Sequence, residues 1–498
     1  MRNTLRLVIG IVLALGLTPR GQAGTNWYVV ELGGAHAGWM RSTETPIEGG
    51  VRTEQAMLLE VRRDGAVVEL RFESWFEETD AGEPIRMGSR QFVGGGEVVR
   101  EGVFDRQGIA VVTVQGDRRT ESREPRPSGS WLTPASARRF VEQRAASGAE
   151  RISYRSIDPL NGFTPVSYER VRGETVETEA LRRTFEAVRW TVTTNATPGV
   201  ETAELIDAEG VLVRSSTRFG DSDLTMRLAT ESEALGEREP PELLTTTFVR
   251  PDRVIESARR VRSASYVLRV PGGAMPDVPE SSAQRVERLS PDAVRVRIEA
   301  DGFPERSRVR PDRANTGTLA STALLDHEDP AVRALVGRAI AGASSPAARA
   351  EAMRRFVYGY ITEKHLDVAF GSASETARSR AGDCTEHAAL LAAMLRADGI
   401  PSKLVIGLIY ADTFAGEREI FAYHMWVRAL VEIDGRTRWV DLDATLGSGV
   451  AFDATHIALA TSLGDQGVTD AGFARLVPLM GRLTIEVESV SERAGGGR

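Results

Sequence analysis

The chain has 498 residues, 41% of them hydrophobic and 27% charged, a composition that excludes a disordered or fibrous protein and implies more than one domain. Its 70 acidic and 62 basic residues give a net charge of −8, and no basic stripe with interleaved aromatics appears, so a nucleic-acid partner is not expected.

Arg2 and Arg6 precede an apolar run from Leu7 to Leu17, which Pro19 breaks before Gly21-Gln22-Ala23. A positive start, a short apolar stretch and small residues at the end form an export signal, with cleavage near Ala23 and a periplasmic or secreted product. The run is too short to span a bilayer, and no later segment is long and apolar enough to do so. Exported proteins commonly pair their cysteines, yet this chain has only Cys384. A lone thiol in that setting is an intermolecular partner, an inert buried group or a reactive one.

Residues 24–240 read as an antiparallel β-rich region. Ala66 to Phe72, Ala187 to Val192 and Gly210 to Val213 are short, rich in β-branched residues and punctuated by glycine. One helix is predicted, Pro134 to Ala146, and Val93-Gly94-Gly95-Gly96 reads as a turn, lacking the lysine of a phosphate-binding loop. The proline pair at 240–241 closes the region, and residues 245–315 read as a small β-module with strands over Ser265 to Val270 and Ala293 to Glu299. From residue 320 to 485 helices enter. Asp329-Pro330 caps one over Ala331 to Ala341, and Pro346 to Tyr360 carries apolar residues at helical spacing. The glycine-rich end, 486–498, reads as a flexible tail.

Gly382-Asp383-Cys384-Thr385-Glu386 opens a further helix, with Asp383 as N-cap and Glu386 three residues on completing a capping box. Cys384 then occupies the first helical position, where orphan N–H groups and the helix dipole favour an anion, hence the reactive thiolate. Ala388, Leu391, Ala392 and Leu395 supply an apolar face that anchors the helix, and Asp398-Gly399 followed by Pro401 ends it.

Phe421 to Val427 and Arg438 to Asp443 read as strands joined through Asp434-Gly435, a two-residue hairpin signal. That turn pairs Ile433 with Arg436; counting outward puts Trp426 opposite Asp443 and His424 opposite Thr445. Asp443 is then the diagonal neighbour of His424 on one face, within reach of its imidazole. Asp441 shares the face but lies opposite Arg428, so a salt bridge accounts for it. His387, one turn after Cys384, packs or hydrogen-bonds near the site. His36, His327, His365 and His456 are scattered singly and read as surface or loop residues. No clustered ligand set for a metal is seen.

Taken together, Gly382 to Ala388, Leu395 to Pro401, His424-Met425-Trp426-Val427 and Trp439 to Thr445 resemble the bacterial transglutaminase-like superfamily over residues of about 325 to 480. The resemblance implies an α+β, papain-like domain whose cysteine helix packs on an antiparallel sheet carrying histidine and aspartate. It implies a Cys384–His424–Asp443 triad, although Asp443-Ala444-Thr445 stands where the family has Asp-Pro-Thr. The expected activity is thiolate attack on a peptide or glutamine amide, by a protease, amidase or transglutaminase needing no cofactor, with a protein or peptide as substrate. The alternative is an inactive envelope scaffold that holds a partner through its β-rich region.

Overall fold

The computed structural model describes residues 24–302, 315–364, 371–464 and 479–492, together with Leu476, apart from short gaps at 64–65, 94–95, 116–117, 198, 220–221 and 243. The export signal and residues 493–498 of the glycine-rich end therefore lie outside the described residues. The chain divides into two compact units, the second beginning at Leu244.

In the first unit, strand patterning produces one fourteen-stranded antiparallel sheet. Eight strands follow one another from Thr25–Leu32 to Arg118–Glu124, the helix Pro134–Ala146 intervenes, and six more return until Ser222–Ala229 pairs with Thr25–Leu32. Alternation along the strand from Val166 turns Val166, Tyr168 and Arg170 inward. The first two join Val141 of the helix, Ile152, Trp190 and Val192 in one apolar cluster, and buried Arg170 pairs with buried Glu204.

The second unit holds two four-stranded antiparallel sheets. One places Arg436–Leu442, Glu417–Ile433, Ser402–Phe414 and His456–Ser462 side by side. Asp434 and Gly435 both have positive φ, the mirror-image turn that a two-residue hairpin requires, and Ile433 pairs with Arg436 as the sequence arithmetic predicts. The helix Cys384–Ala397 lies on this sheet, flanked by the helices Pro330–Ala339, Pro346–Tyr360 and Ala373–Ser379. Every one of its residues from Thr385 to Arg396 is buried, so it is enclosed on all sides, not only on the apolar face expected.

The other sheet corrects the domain organisation read from sequence. Thr484–Ser491 pairs with Ser263–Arg269, so residues 486–491 are strand where a tail was expected. Residues 245–315 and 320–485 share one unit because the former brace the latter. The Gln284 amide donates to the Ala458 carbonyl (2.9 Å) and accepts from the Ala458 N–H (2.9 Å), completing the outer edge of His456–Ser462 as another strand would. Tyr266 Oη donates to the Ala454 carbonyl (3.1 Å).

Gly407 sits where backbones crowd, opposite His424 on one side and Ala458 on the other. A Cβ there would lie 2.1 Å from the Ile457 carbonyl oxygen and 2.6 Å from the Trp426 ring. Gly407→Ala is therefore expected to destabilise this unit by about 1–3 kcal/mol, read as a lower urea midpoint; an unchanged midpoint would show that the two strands can part freely.

Candidate active site

Three local devices aim Cys384. The Asp383 carboxylate accepts from the Thr385 N–H (2.8 Å), and Glu386 accepts from the Asp383 N–H (3.0 Å), forming the expected capping box. Glu386, fully buried, also accepts from the Gly371 N–H (3.1 Å), tying the preceding loop to the helix. Gly382 has φ +143°, and a Cβ there would strike Glu386 at 2.4 Å, so glycine is demanded by both conformation and space. Cys384 opens the helix half-buried.

His424 and Asp443 come together as the pairing arithmetic predicts. His424 Nε2 lies 2.8 Å from Asp443 Oδ2, with the histidine donating to the carboxylate. That leaves the other ring nitrogen outside the contact with the carboxylate. Burial disfavours a charge on His424, but the Asp443 carboxylate, reinforced by Cys384, raises its proton affinity to about 10. Burial likewise opposes ionisation of Asp443, yet the two histidines beside it hold its carboxyl well below the usual carboxylate range.

Asp443 collects donors on both oxygens. Oδ1 accepts from the Thr445 N–H (2.8 Å) and Thr445 Oγ (2.7 Å), while Oδ2 accepts from His424 and also faces His456 Nε2 at 3.2 Å. Arg354, buried in the helix Pro346–Tyr360, donates to the carbonyls of Asp443 (3.2 Å) and Leu446 (2.8 Å) and so fixes the backbone that carries the acid. Asp441 is elsewhere engaged: its Oδ1 accepts from Trp426 Nε1 (2.9 Å) and Arg428 Nε (3.0 Å), the structural role its register position implies.

His456 corrects the sequence reading. It is buried, not a surface or loop residue, and its Nδ1 faces the Asp453 carbonyl (3.2 Å) and Oδ1 (3.3 Å). Asp453 in turn accepts from Thr455 and from Arg259 Nη1 (2.9 Å). A sequence signal for this existed: Asp-Ala-Thr occurs at 443–445 and again at 453–455, and both copies fold the same way, with the aspartate accepting from the threonine N–H and hydroxyl. His387 is buried, with Nδ1 2.7 Å from the Asp383 carbonyl, and burial lowers its proton affinity. It buttresses the cap of the cysteine helix. His36, in the first unit, faces the Gly38 carbonyl (3.0 Å), and His365 lies outside the described residues.

The ligand atoms of His424, Asp443 and His456 fall within 4.8 Å of one another, close enough to be considered for a metal ion. Both histidines, however, already satisfy the carboxylate at hydrogen-bond distance, and Thr445 occupies its other oxygen. The grouping is accounted for as a hydrogen-bonded charge cluster.

Residues 333–444 match the family model of the Transglutaminase-like superfamily, a segment that contains Cys384, His424 and Asp443. Among solved structures, the chain is similar to a candidate cysteine protease from Cytophaga hutchinsonii, with 15% identity, 46% of this chain and 85% of that one covered, and a TM-score of 0.28. It is also similar to a β-barrel-like protein of a domain of unknown function from Brucella abortus, with 12% identity, 43% and 97% covered, and a TM-score of 0.32. A candidate protease from Parabacteroides distasonis follows at 12% identity, 70% and 64% covered, and a TM-score of 0.18. No curated protein matches the chain.

The cluster couples stability to pH. Because His424 is raised to about 10 in the fold, its contribution is complete below about pH 6.5, the unfolded value, and is lost as pH climbs through its folded value. The depressed Asp443 contributes above about pH 4 and loses that contribution as pH falls. Urea midpoints should thus decline between about pH 6 and pH 10, and the decline should shrink in His424→Gln; parallel slopes in the two proteins would contradict the coupling.

Proposed function

We propose that this chain is an exported cysteine acyl-transfer enzyme of the transglutaminase-like type, with Cys384 as nucleophile, His424 as acid–base and Asp443 as its orienting group. The observation that carries the reading is the 2.8 Å contact from His424 Nε2 to a buried Asp443, with Cys384, at a capped helix start, among the groups that raise the proton affinity of the same ring.

The chemistry follows from these positions. The Cys384 thiolate attacks an amide carbonyl of a peptide bond or a glutamine side chain. The Cys384 backbone N–H, one of the unpaired donors at the helix start, faces the oxyanion as it forms. His424 donates its proton to the departing amine as the tetrahedral intermediate collapses to a thioester. Water or a second amine then attacks the thioester, His424 taking the proton back, so hydrolysis and transfer use the same residues. Asp443 keeps the ring turned toward the sulfur and stabilises the imidazolium.

Export with cleavage near Ala23 belongs to the same proposal and makes proteins or peptides of the cell envelope the substrate class. No helix of the described residues is long and apolar enough to cross a membrane.

Since the chain has one cysteine, every iodoacetamide adduct reports Cys384. At about pH 6 the full-length protein should be alkylated at least ~10-fold faster than its His424→Ala variant, because the thiolate is the reacting species. Mass spectrometry of timed samples reads both rates. Equal, slow rates would move the assignment to a non-catalytic scaffold.

A further inference from the structure

The Asp443 carboxylate has a second histidine on it that the triad does not require, and that histidine lies beyond the segment matching the family model, 333–444. His456 Nε2 points at Asp443 Oδ2, and its Nδ1 points at two oxygens of Asp453. A neutral imidazole has one donor and one acceptor nitrogen; only the doubly protonated ring can donate at both ends. Here every partner of both nitrogens is an acceptor.

The other charged or titratable groups around the ring agree. Asp443 reaches it from the loop after Arg436–Leu442, and Asp453 from its own strand start. Arg259, from the turn Ala258–Arg260, neutralises the far oxygen of Asp453. Tyr266, on the strand Ser263–Arg269, faces the Asp453–Arg259 pair with its hydroxyl bound to the Ala454 carbonyl. His424 lies across Asp443, with ring centroids 6.0 Å apart. The remaining walls are the rings of Phe452 and Trp426, at 4.3 Å and 5.4 Å. Burial opposes a charge on His456, but the two flanking carboxylates raise its proton affinity above the ordinary histidine value.

We propose that His456 is a positioning residue, a cation held between Asp443 and Asp453 that fixes the Asp443 carboxylate against His424 and tempers its hold on the His424 proton. The result is a chain of alternating charge, Cys384–His424–Asp443–His456–Asp453–Arg259. A buried carboxylate alone would bind the His424 proton tightly; a second cation on the same oxygen weakens that grip and leaves the proton available to the leaving amine. The functional meaning rests on the acyl-transfer reading, whereas the protonation of His456 does not.

Nitrogen-15 NMR of the histidine-labelled full-length protein tests the proposal directly, with six histidines to resolve and His456→Gln to assign the signal. Both His456 nitrogens should stay protonated as pH rises past the ordinary histidine value near 6.5. In Asp453→Asn, which removes one flanking charge, His456 should lose its second proton at lower pH than in the unaltered protein, and this variant carries the test if His456→Gln does not fold. Removing the cation raises the proton affinity of its neighbours, so the rise of Cys384 alkylation with pH should move up by about one pH unit in His456→Gln, its plateau little changed. A merely structural role would lower the plateau without moving the curve. A His456 singly protonated at neutral pH, or an unmoved alkylation curve, would overturn the proposal. Alkylation indifferent to His424 would overturn the acyl-transfer reading instead, leaving the His456 signal as the independent result.

Discussion

A buried carboxylate organises the second unit. Asp443 is almost wholly withdrawn from water, and an ionised carboxylate in that position is tolerated only when its lone pairs are met by donors. Those donors come from separate parts of the chain: His424 from the strand Glu417–Ile433, Thr445 from the following turn, and His456 from the far edge of the sheet. Arg354, from a helix, holds the backbone beneath. The sheet order, the hairpin register and the packing of the helix Pro346–Tyr360 must all be right at once for that charge to sit there. The same constraint gives His424 its orientation and, through the ring, its relation to Cys384.

What could be read in advance was local or one turn removed from local. The capping box of the cysteine helix lies within four consecutive residues, Asp383 to Glu386, and its geometry follows from residue type. The placement of Asp443 beside His424 needed only a two-residue turn and the period of a strand, and the observed pairs Ile433–Arg436 and Arg428–Asp441 bear out that register. The helix Pro346–Tyr360 emerges with its expected bounds because proline, spacing and a serine cap agree.

The unread part depended on which strand joins which edge. His456 reaches Asp443 because His456–Ser462 pairs with Ser402–Phe414, with Ala458 opposite Gly407, and Gly407 is in turn opposite His424. No turn chemistry links those strands, so no counting rule sets their register. The short helix Ala373–Ser379 went unread for another reason: at seven residues it shows little periodicity, although Ser372 and Glu375 supply a complete capping box. The doubled Asp-Ala-Thr was the one local clue to His456, since a turn that builds an acceptor at 443 builds another at 453.

The segment matching the superfamily, 333–444, ends one residue after Asp443, yet the surroundings of that acid do not end there. The strand carrying His456 has its outer edge at Ala458 completed by the Gln284 amide. Asp453 is balanced by Arg259, and Ala454 is held by Tyr266 and by a backbone bond from its N–H to the Val261 carbonyl (2.8 Å). Gln284 and Tyr266 belong to a sheet that also needs Thr484–Ser491 from the far end of the chain, and Arg259 and Val261 lie just before its strand Ser263–Arg269. Cutting the protein at residue 333 would leave the edge of His456–Ser462 with unpaired backbone groups and Asp453 without its counter-charge, each costly when buried, and cutting it at residue 444 would remove His456 and its strand altogether. The second sheet is therefore part of the scaffold that keeps the acid ionised, and the unit that must fold for the site to form begins near residue 244 and runs to the final strand.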